Sequence, residues 1–235
     1  FGCFAARRCF DQAFLAAGYS QVPVHIIGSD PGVTAAFNGA THMPFEDGAL
    51  YMTVPGAVVI DSCDYVQTKS LTKKLADYPK LSYMRLIRKN FKTIYADGSE
   101  FEIGKGVTLK DGKDVTIIAS GIMLDEALRA EEILHAEGIS ARVIDMHTWK
   151  PIDEELICKA AEETGCIVTA ENHQIGCGLG SAVANVLVAN KPVPMERVGI
   201  QDRFGQVGPQ DFLMKEYNLM AEDIVEAVKK VISRK

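Results

Sequence analysis

Residues 114–120 read DVTIIAS, an apolar run that follows a charged turn and precedes a helix-compatible segment. A short apolar run bounded by turn residues is typical of a strand buried on both faces. The amphipathic segment 123–137 comes next and ends at Gly138, a usual helix stop. A second apolar run, ARVIDM, begins at residue 141. This order of strand, helix and strand predicts a parallel sheet covered by helices.

The same alternation continues in both directions along the chain. Towards the C-terminus the pattern predicts helices 153–164, 179–190 and 221–233 and strands 166–171 and 195–200. Towards the N-terminus it predicts helices 4–17 (ended by Gly18) and 64–78 and strands 23–29, 57–62 and 81–88. A polar, glycine-rich segment separates the two series. We therefore expect an α/β fold class with two tandem domains of mainly parallel sheets, divided into a first domain 1–95, a linker 96–113 and a second domain 114–235.

Composition limits the class of protein. The chain has 235 residues, 47% hydrophobic and 24% charged, which is enough to build a sizeable core. A net charge of -6 without a basic block disfavours nucleic acid or an anionic membrane as a partner. The six scattered cysteines include no C-x-x-C pair, so we expect reduced thiols, no metal site in this chain and a cytoplasmic location.

The segment AFNGATHMPFED, residues 36–47, is the first candidate for a functional site. It lies between two strand-like runs, and the loop that contains it concentrates polar groups at Asp30, Asn38 and His42. Histidine changes its charge near neutral pH and can hydrogen-bond a substrate hydroxyl or oxyanion. From these residues alone, a site and a structural turn are equally favoured.

A second candidate is GCGLGS, residues 176–181, which follows a predicted strand and opens a helix. That context is the one in which glycines hold a dinucleotide phosphate. The spacing is G-x-G-x-G, and no acidic residue lies about 20 positions further on to bind a ribose. A tight turn for helix packing is the favoured interpretation. His173, in the adjacent ENHQ, is equally compatible with a structural and a catalytic role.

Several motifs, taken in chain order, resemble the transketolase family of thiamine-diphosphate enzymes. FGCFAARRCFDQ, GVTAAFNGATHMPFEDGAL, VPGAVVIDSCDYVQ and YMRLIR resemble the later part of the pyrimidine-binding domain. MHTWKPID, ENHQIGCGLGS and FGQVG are similar to the C-terminal domain of that family. The resemblance thus implies a truncated pyrimidine-binding domain followed by a transketolase C-terminal-like domain.

The resemblance also implies roles for individual residues. Phe4 and Phe1 match aromatic positions that line the aminopyrimidine pocket, and Arg7 falls among the same cofactor-binding positions. His42 matches the histidine that contacts the donor sugar near its reacting carbonyl. Arg88 matches the arginine that binds the substrate phosphate, with Arg85 as the neighbouring alternative.

Two positions depart from the family pattern. Asn38 stands where the family has an aspartate that binds a donor hydroxyl, and Asp30 stands where it has a phosphate-binding histidine. An aspartate there would repel a phosphate. The resemblance therefore implies a ketol transferase with an altered sugar substrate, in which Asn38 and Asp30 contact that substrate.

The resemblance implies partners as well. The chain has no glycine-aspartate-glycine motif that would hold magnesium and diphosphate. We therefore expect thiamine diphosphate and Mg2+ as cofactors, with an N-terminal transketolase subunit holding the metal and the diphosphate. A heterotetramer with homodimer contacts through both domains is the expected assembly. The family's catalytic glutamate would precede Phe1, so we expect a longer natural chain and no activity from this one alone. Two alternatives stay open: a subunit of a 2-oxo acid dehydrogenase or deoxyxylulose phosphate synthase, and a non-catalytic assembly or regulatory remnant.

Overall fold

The computed structural model describes residues 1–235 as an α/β protein with two sheets. The strands are β1 His25–Ser29, β2 Val58–Asp61, β3 Ser82–Leu86, β4 Val107–Lys110, β5 Val115–Ala119, β6 Ala141–Asp145, β7 Thr148–Lys150, β8 Ile167–Gln174 and β9 Met195–Ile200. The α-helices are α1 Phe10–Gln12, α2 Asp47–Met52, α3 Tyr65–Ala76, α4 Met123–Ala136, α5 Glu154–Thr164, α6 Leu179–Asn190, α7 Gln210–Glu216 and α8 Ala221–Ile232. None of these helices has the length and apolar character that a membrane span requires.

Both sheets are mainly parallel, as the alternation of strands and helices predicted. The first has the order β1-β3-β2-β7 and the second the order β4-β6-β5-β8-β9. Only β7 and β4 run antiparallel to their neighbours. The central strands of each sheet are buried along their whole length because helices cover both faces. The expected fold class is therefore confirmed.

The helix boundaries follow local signals that the sequence contains. Asp153 accepts a hydrogen bond from the backbone N of Leu156 and begins α5, and Gly165, at φ +71°, ends it. In α8 the apolar side chains recur at helical spacing and face the core, at Ala221, Ile224, Val225, Val228 and Val231. Such caps and periodicities explain why most predicted elements appear within a few residues of their expected bounds.

Some elements differ from the sequence prediction. The first helix does not stop at Gly18: wide π-type turns, Phe4–Arg8 and Ala13–Tyr19, flank α1 and carry the helix past it. The segment 96–113 contains β4, which the pattern did not predict. The sequence pattern also did not predict α2, α7 or β7. These elements are short, and tertiary contacts stabilise them more than their own sequence periodicity does.

Candidate active site

The carboxyl ends of β1 and β3 bring two charged residues together. The strands pair in parallel with Ser29 opposite Leu86, so both end at the same edge of the first sheet. Asp30 follows β1, and its backbone N donates a hydrogen bond of 3.0 Å to the carbonyl oxygen of Leu86. Arg88 lies two residues beyond β3 and places its Nε 2.8 Å from Oδ2 of Asp30. Open α/β sheets usually bind ligands at this edge.

Asp30 occupies an unusual position for a carboxylate. It is 1% exposed and has a φ of +56°, in the left-handed region that residues other than glycine rarely adopt. Its Oδ2 accepts a hydrogen bond from Oγ of Ser29, whereas its buried Oδ1 has no hydrogen-bond partner. Backbone strain and an unpartnered buried oxygen each cost stability, and both are concentrated at functional sites.

His42 lies at the end of two short 3₁₀ turns, Gly32–Asn38 and Ala40–His42. The imidazole is half-buried, and its Nδ1 is 2.9 Å from Oγ1 of Thr41. No hydrogen bond of the chain involves its Nε2. This nitrogen is therefore free to contact a ligand.

Two phenylalanines from the N-terminal helical segment pack around this histidine. The ring centroid of Phe1 lies 4.9 Å and that of Phe4 5.1 Å from the imidazole, both edge to face. The guanidinium of Arg88 lies 5.0 Å from the centroid of Phe1. The structure thus brings Phe1, Phe4, His42, Arg88 and Asp30 into one cluster, which we call the edge cluster.

Arg7 and Asn38 were also expected at the site, and neither takes part in the aromatic contacts of the edge cluster. Nε of Arg7 lies 3.1 Å from Oε1 of Glu46, and its Nη2 donates to the carbonyl oxygen of Thr41. Arg7 therefore ties the N-terminal segment to residues 30–46, the loop that carries His42, which we call the histidine loop. Asn38 is exposed, and its Nδ2 donates to the carbonyl oxygen of Ala35, which leaves its own amide oxygen open.

Arg85 lies in the interior, away from the edge cluster. Its side chain is fully buried, with Nε 3.1 Å from Asp47 and Nη1 3.2 Å from Asp61. Nη2 donates to the carbonyl oxygen of Asn172, and the guanidinium faces the ring of Trp149. Burial lowers the pKa of Arg85, but the two carboxylates more than offset this, so the net shift is upward. Because no face of this side chain is open to solvent, Arg88 is the accessible member of the pair.

The sequence reasoning missed Asn172, the neighbour of His173 in ENHQ. Its Oδ1 accepts a hydrogen bond from the backbone N of Val33, and its Nδ2 donates to the carbonyl oxygen of Pro31. Gly32, at φ +54°, lies between them, and a Cβ there would be 2.0 Å from Oδ1 of Asn172. This amide therefore holds the loop that follows Asp30. The position of ENHQ at the predicted end of a strand was the signal that could have found it.

His173 is a buried structural residue in this fold. Burial lowers its pKa to about 4, aided by the charge of Arg85, so the imidazole is neutral at pH 7. Its ring packs edge to face against Trp149, and the side chain is fully buried.

The glycines of GCGLGS wrap a carboxylate of the chain itself. Glu171 accepts hydrogen bonds from the backbone N of Leu179, at 2.7 Å, and of Gly180, at 2.8 Å. Burial raises the pKa of Glu171 to about 8, although these two hydrogen bonds act in the opposite direction. The amides that a phosphate would need are therefore already engaged, as the packing interpretation of this motif requires.

Comparison with protein-family models covers nearly the whole chain. Residues 1–93 match the model "Transketolase, pyrimidine binding domain", and residues 104–224 match "Transketolase, C-terminal domain". The chain belongs to the transketolase family. The resemblance inferred from the sequence motifs is thereby confirmed, as is a fold in which the pyrimidine-binding part precedes the C-terminal part.

Several relatives of this transketolase chain are subunits of split enzymes. A protein of Clostridium sp. strain MSTE9, 6-deoxy-6-sulfo-D-fructose transketolase subunit SqwH, is 43% identical over 100% of this chain and 73% of its own length. A subunit of the apulose-4-phosphate transketolase of Phocaeicola vulgatus is 40% identical over 99% of this chain and 74% of its own length. Rat transketolase is 34% identical over 98% of this chain but only 38% of its own length.

A solved structure has the same fold over the same region. It is described as "Split gene transketolase, inactive beta4 tetramer" and superposes with a TM-score of 0.92 at 41% identity, covering 99% of this chain and 74% of that one. Together with the named relatives, it confirms the prediction of a transketolase-type transferase subunit.

Membership of the transketolase family implies the use of thiamine diphosphate. The residues of this chain fit its ring: Phe1 and Phe4 are partly exposed, and aromatic faces suit a flat heterocycle. The chain has no group of three or more His, Cys, Asp or Glu side chains that could hold a metal ion. The fit thus concerns the ring end of the cofactor.

Proposed function

We propose that this transketolase chain is the smaller subunit of a split transketolase that transfers a two-carbon ketol unit between sugars. The observation that carries the proposal is the edge cluster, because one accessible surface combines an aromatic wall, an imidazole with a free Nε2 and an exposed guanidinium. Such a surface can bind a flat ring, a reacting oxygen and an anion side by side.

Each residue of the edge cluster has a distinct role in this proposal. Thiamine diphosphate, when bound, supplies the nucleophilic carbon and the electron sink for breaking the carbon–carbon bond. Phe4 and Phe1 orient its ring, with Arg7 holding their segment against the histidine loop. Nε2 of His42 hydrogen-bonds the oxygens of the donor where charge develops. Arg88 binds the far end of the sugar through its planar donors.

The partner subunit, in this proposal, contributes the diphosphate and Mg2+ sites. The resemblance supports this assignment, because it places those sites in an N-terminal transketolase region whose glycine-aspartate-glycine motif residues 1–235 lack. The similar solved structure also supports it, since it is described as a split gene transketolase in an inactive β4 tetramer. We propose a heterotetramer with homodimer contacts through both halves of the chain, in the cytoplasm.

The donor sugar, we propose, differs from an ordinary pentulose phosphate. Of the two residues that depart from the family pattern, Asp30 belongs to the edge cluster, and Asn38 is exposed in the loop that carries His42. The relatives from Clostridium and Phocaeicola carry the names of subunits of a 6-deoxy-6-sulfo-D-fructose transketolase and an apulose-4-phosphate transketolase. Modified sugars are therefore the substrate class that we propose.

The test is reconstitution of the chain with a candidate partner subunit, thiamine diphosphate and Mg2+, followed by a screen of donor ketoses. We expect His42→Ala to lower kcat by about 100-fold, the usual effect of losing a group that hydrogen-bonds the transition state. The matched control is His135→Ala, because His135 is exposed on α4 and makes no side-chain hydrogen bond. A complex that retains the cofactor but cleaves no ketose, or equal activity in both variants, would contradict the proposal.

A further inference from the structure

The Asp30–Arg88 ion pair has one buried and one open side. Arg88 is 56% exposed, whereas the side chain of Asp30 is 1% exposed. Nε of Arg88 faces the carboxylate of Asp30, and the guanidinium packs on the ring of Phe1. The two Nη groups of Arg88 take part in no hydrogen bond. A ligand can therefore reach the Nη edge of Arg88, with the carboxylate directly behind it.

The charge on Asp30 is costly for the fold. Asparagine has nearly the same shape and tolerates a positive φ equally well, so neither shape nor backbone geometry requires a carboxylate here. The buried Oδ1 of this carboxylate has no hydrogen-bond partner. A strained and incompletely partnered charge at the open edge of a sheet indicates a function for the charge itself.

The carboxylate weakens the positive potential that a ligand meets at Arg88. The two charges sum to zero, and Arg7 is itself paired with Glu46, so the cation that remains beside the cluster is Arg8, which lies over the ring of Phe4 rather than at Arg88. Attraction of an anion grows in proportion to its charge, but the cost of removing it from water grows with the square of that charge. A weakened potential therefore favours a singly charged group over a phosphate ester, which carries about −1.5 to −2 at pH 7.

We infer that the Asp30–Arg88 pair selects donor sugars whose far end carries a single negative charge, such as a sulfonate, over sugar phosphates. The inference rests on the proposed function, because it specifies the substrate class of the same cleft. A sulfonate presents three oxygens in the same geometry as a phosphate, so the open Nη edge of Arg88 still forms two parallel hydrogen bonds to it. Asp30 is then a specificity-determining residue that acts through Arg88.

The experiment compares matched ketoses that end in a sulfonate, a phosphate or a hydroxyl group, using the complex with its partner subunit. We expect the wild type to have a kcat/KM for the sulfonate at least about tenfold above that for the phosphate. Asp30→Asn should raise the ratio of kcat/KM for the phosphate to that for the hydroxyl sugar by about tenfold. Asp77→Asn is the charge-matched control, because Asp77 is exposed at the end of α3 and forms no ion pair.

Binding provides a second readout that does not need turnover. Dissociation constants of the reduced, non-cleavable sugar alcohols with the same three ends are measured by calorimetry on the complex. Arg88→Gln should weaken binding of both anionic sugar alcohols more than binding of the hydroxyl one. A preference of the wild type for phosphate, or an unchanged sulfonate-to-phosphate ratio in Asp30→Asn, overturns the inference. If no donor is cleaved, the proposed function fails while the binding ratio still decides whether the pair selects by charge.

Discussion

Single residues in the interior of this transketolase chain carry charges that the fold must balance. Arg85 is paired with Asp47 and Asp61, and all three side chains are 2% exposed or less. Asp47 also accepts a hydrogen bond from the hydroxyl of Tyr83. Removal of one member of such a group leaves a buried charge that is incompletely compensated.

Asp47→Asn should therefore lower the free energy of unfolding by about 3 kcal/mol, as loss of one partner of a buried ion pair does. Urea denaturation followed by circular dichroism measures this difference. Asp97→Asn is the control, because Asp97 makes only an exposed ion pair with Lys69, at 3.9 Å, and its loss should have no measurable effect. An Asp47→Asn variant as stable as the wild type would show that the network is not needed for stability.

The neutral His173 predicts how stability depends on pH. Its pKa falls from 6.5 in the unfolded chain to about 4 in the folded one, mainly through burial. Between these values the unfolded chain binds a proton that the folded chain does not. Acidification from pH 6.5 towards 4 should therefore favour unfolding, by about 1.4 kcal/mol per pH unit from this group.

Urea titrations at several pH values measure that slope. In His173→Gln the slope should be shallower than in the wild type. Equal slopes in the two proteins would mean that His173 already accepts a proton in the folded state.

At the scale of elements, β8 of the second sheet positions the loop that follows β1 of the first. The side chain of Asn172 forms hydrogen bonds with the backbone of Pro31 and Val33. The backbone N of Gln174 donates to the carbonyl oxygen of Phe45. The strand thus holds the histidine loop at both of its ends. The edge cluster depends on this contact between the two sheets.

Asn172→Ala removes the acceptor of the Val33 amide, so hydrogen exchange at that amide should accelerate by about tenfold. Asn190→Ala is the control, because the Asn190 side chain bonds only to the carbonyl oxygen of Val186 within α6. Unchanged exchange at Val33 would show that other contacts suffice to hold the loop.

In the molecule as a whole, the two halves of the chain are joined by a shared sheet and a shared hydrophobic core. Strand β7 follows β6 of the second sheet in the chain, yet it pairs with β2 of the first sheet. One core cluster joins Val33, Met43 and Phe45 to side chains of β5 and β8. We propose residues 96–113 as the link between the halves, with β4 inside it as an edge strand.

This shared structure predicts a single unfolding transition. Trp149, the only tryptophan, lies in β7 with its Nε1 bonded to Oγ of Ser120, so its fluorescence reports on the junction. We expect the fluorescence and circular dichroism transitions in urea to coincide. Separate midpoints would show instead that the halves unfold independently.

Much of the fold could be predicted because its signals are local. The bounds of α6 and β9 agree with the sequence pattern, and Asp153 and Gly165 delimit α5 as expected. Motif resemblance likewise named the members of the edge cluster, including Phe4 and His42. Periodicity, caps and glycine stops depend on neighbours in the chain, and these are visible in the sequence.

Other features depended on contacts between distant residues. Arg85 lies within β3 and Arg88 lies two residues beyond its end, but only packing against Asp47 and Asp61 decided which one is buried. Nothing in the sequence of the three residues of β7 predicts that this strand pairs with β2. The sequence by itself determined the alternation of elements and the family. The tertiary structure decided the Asp30–Arg88 pair, because burial and pairing arise only when separate segments meet.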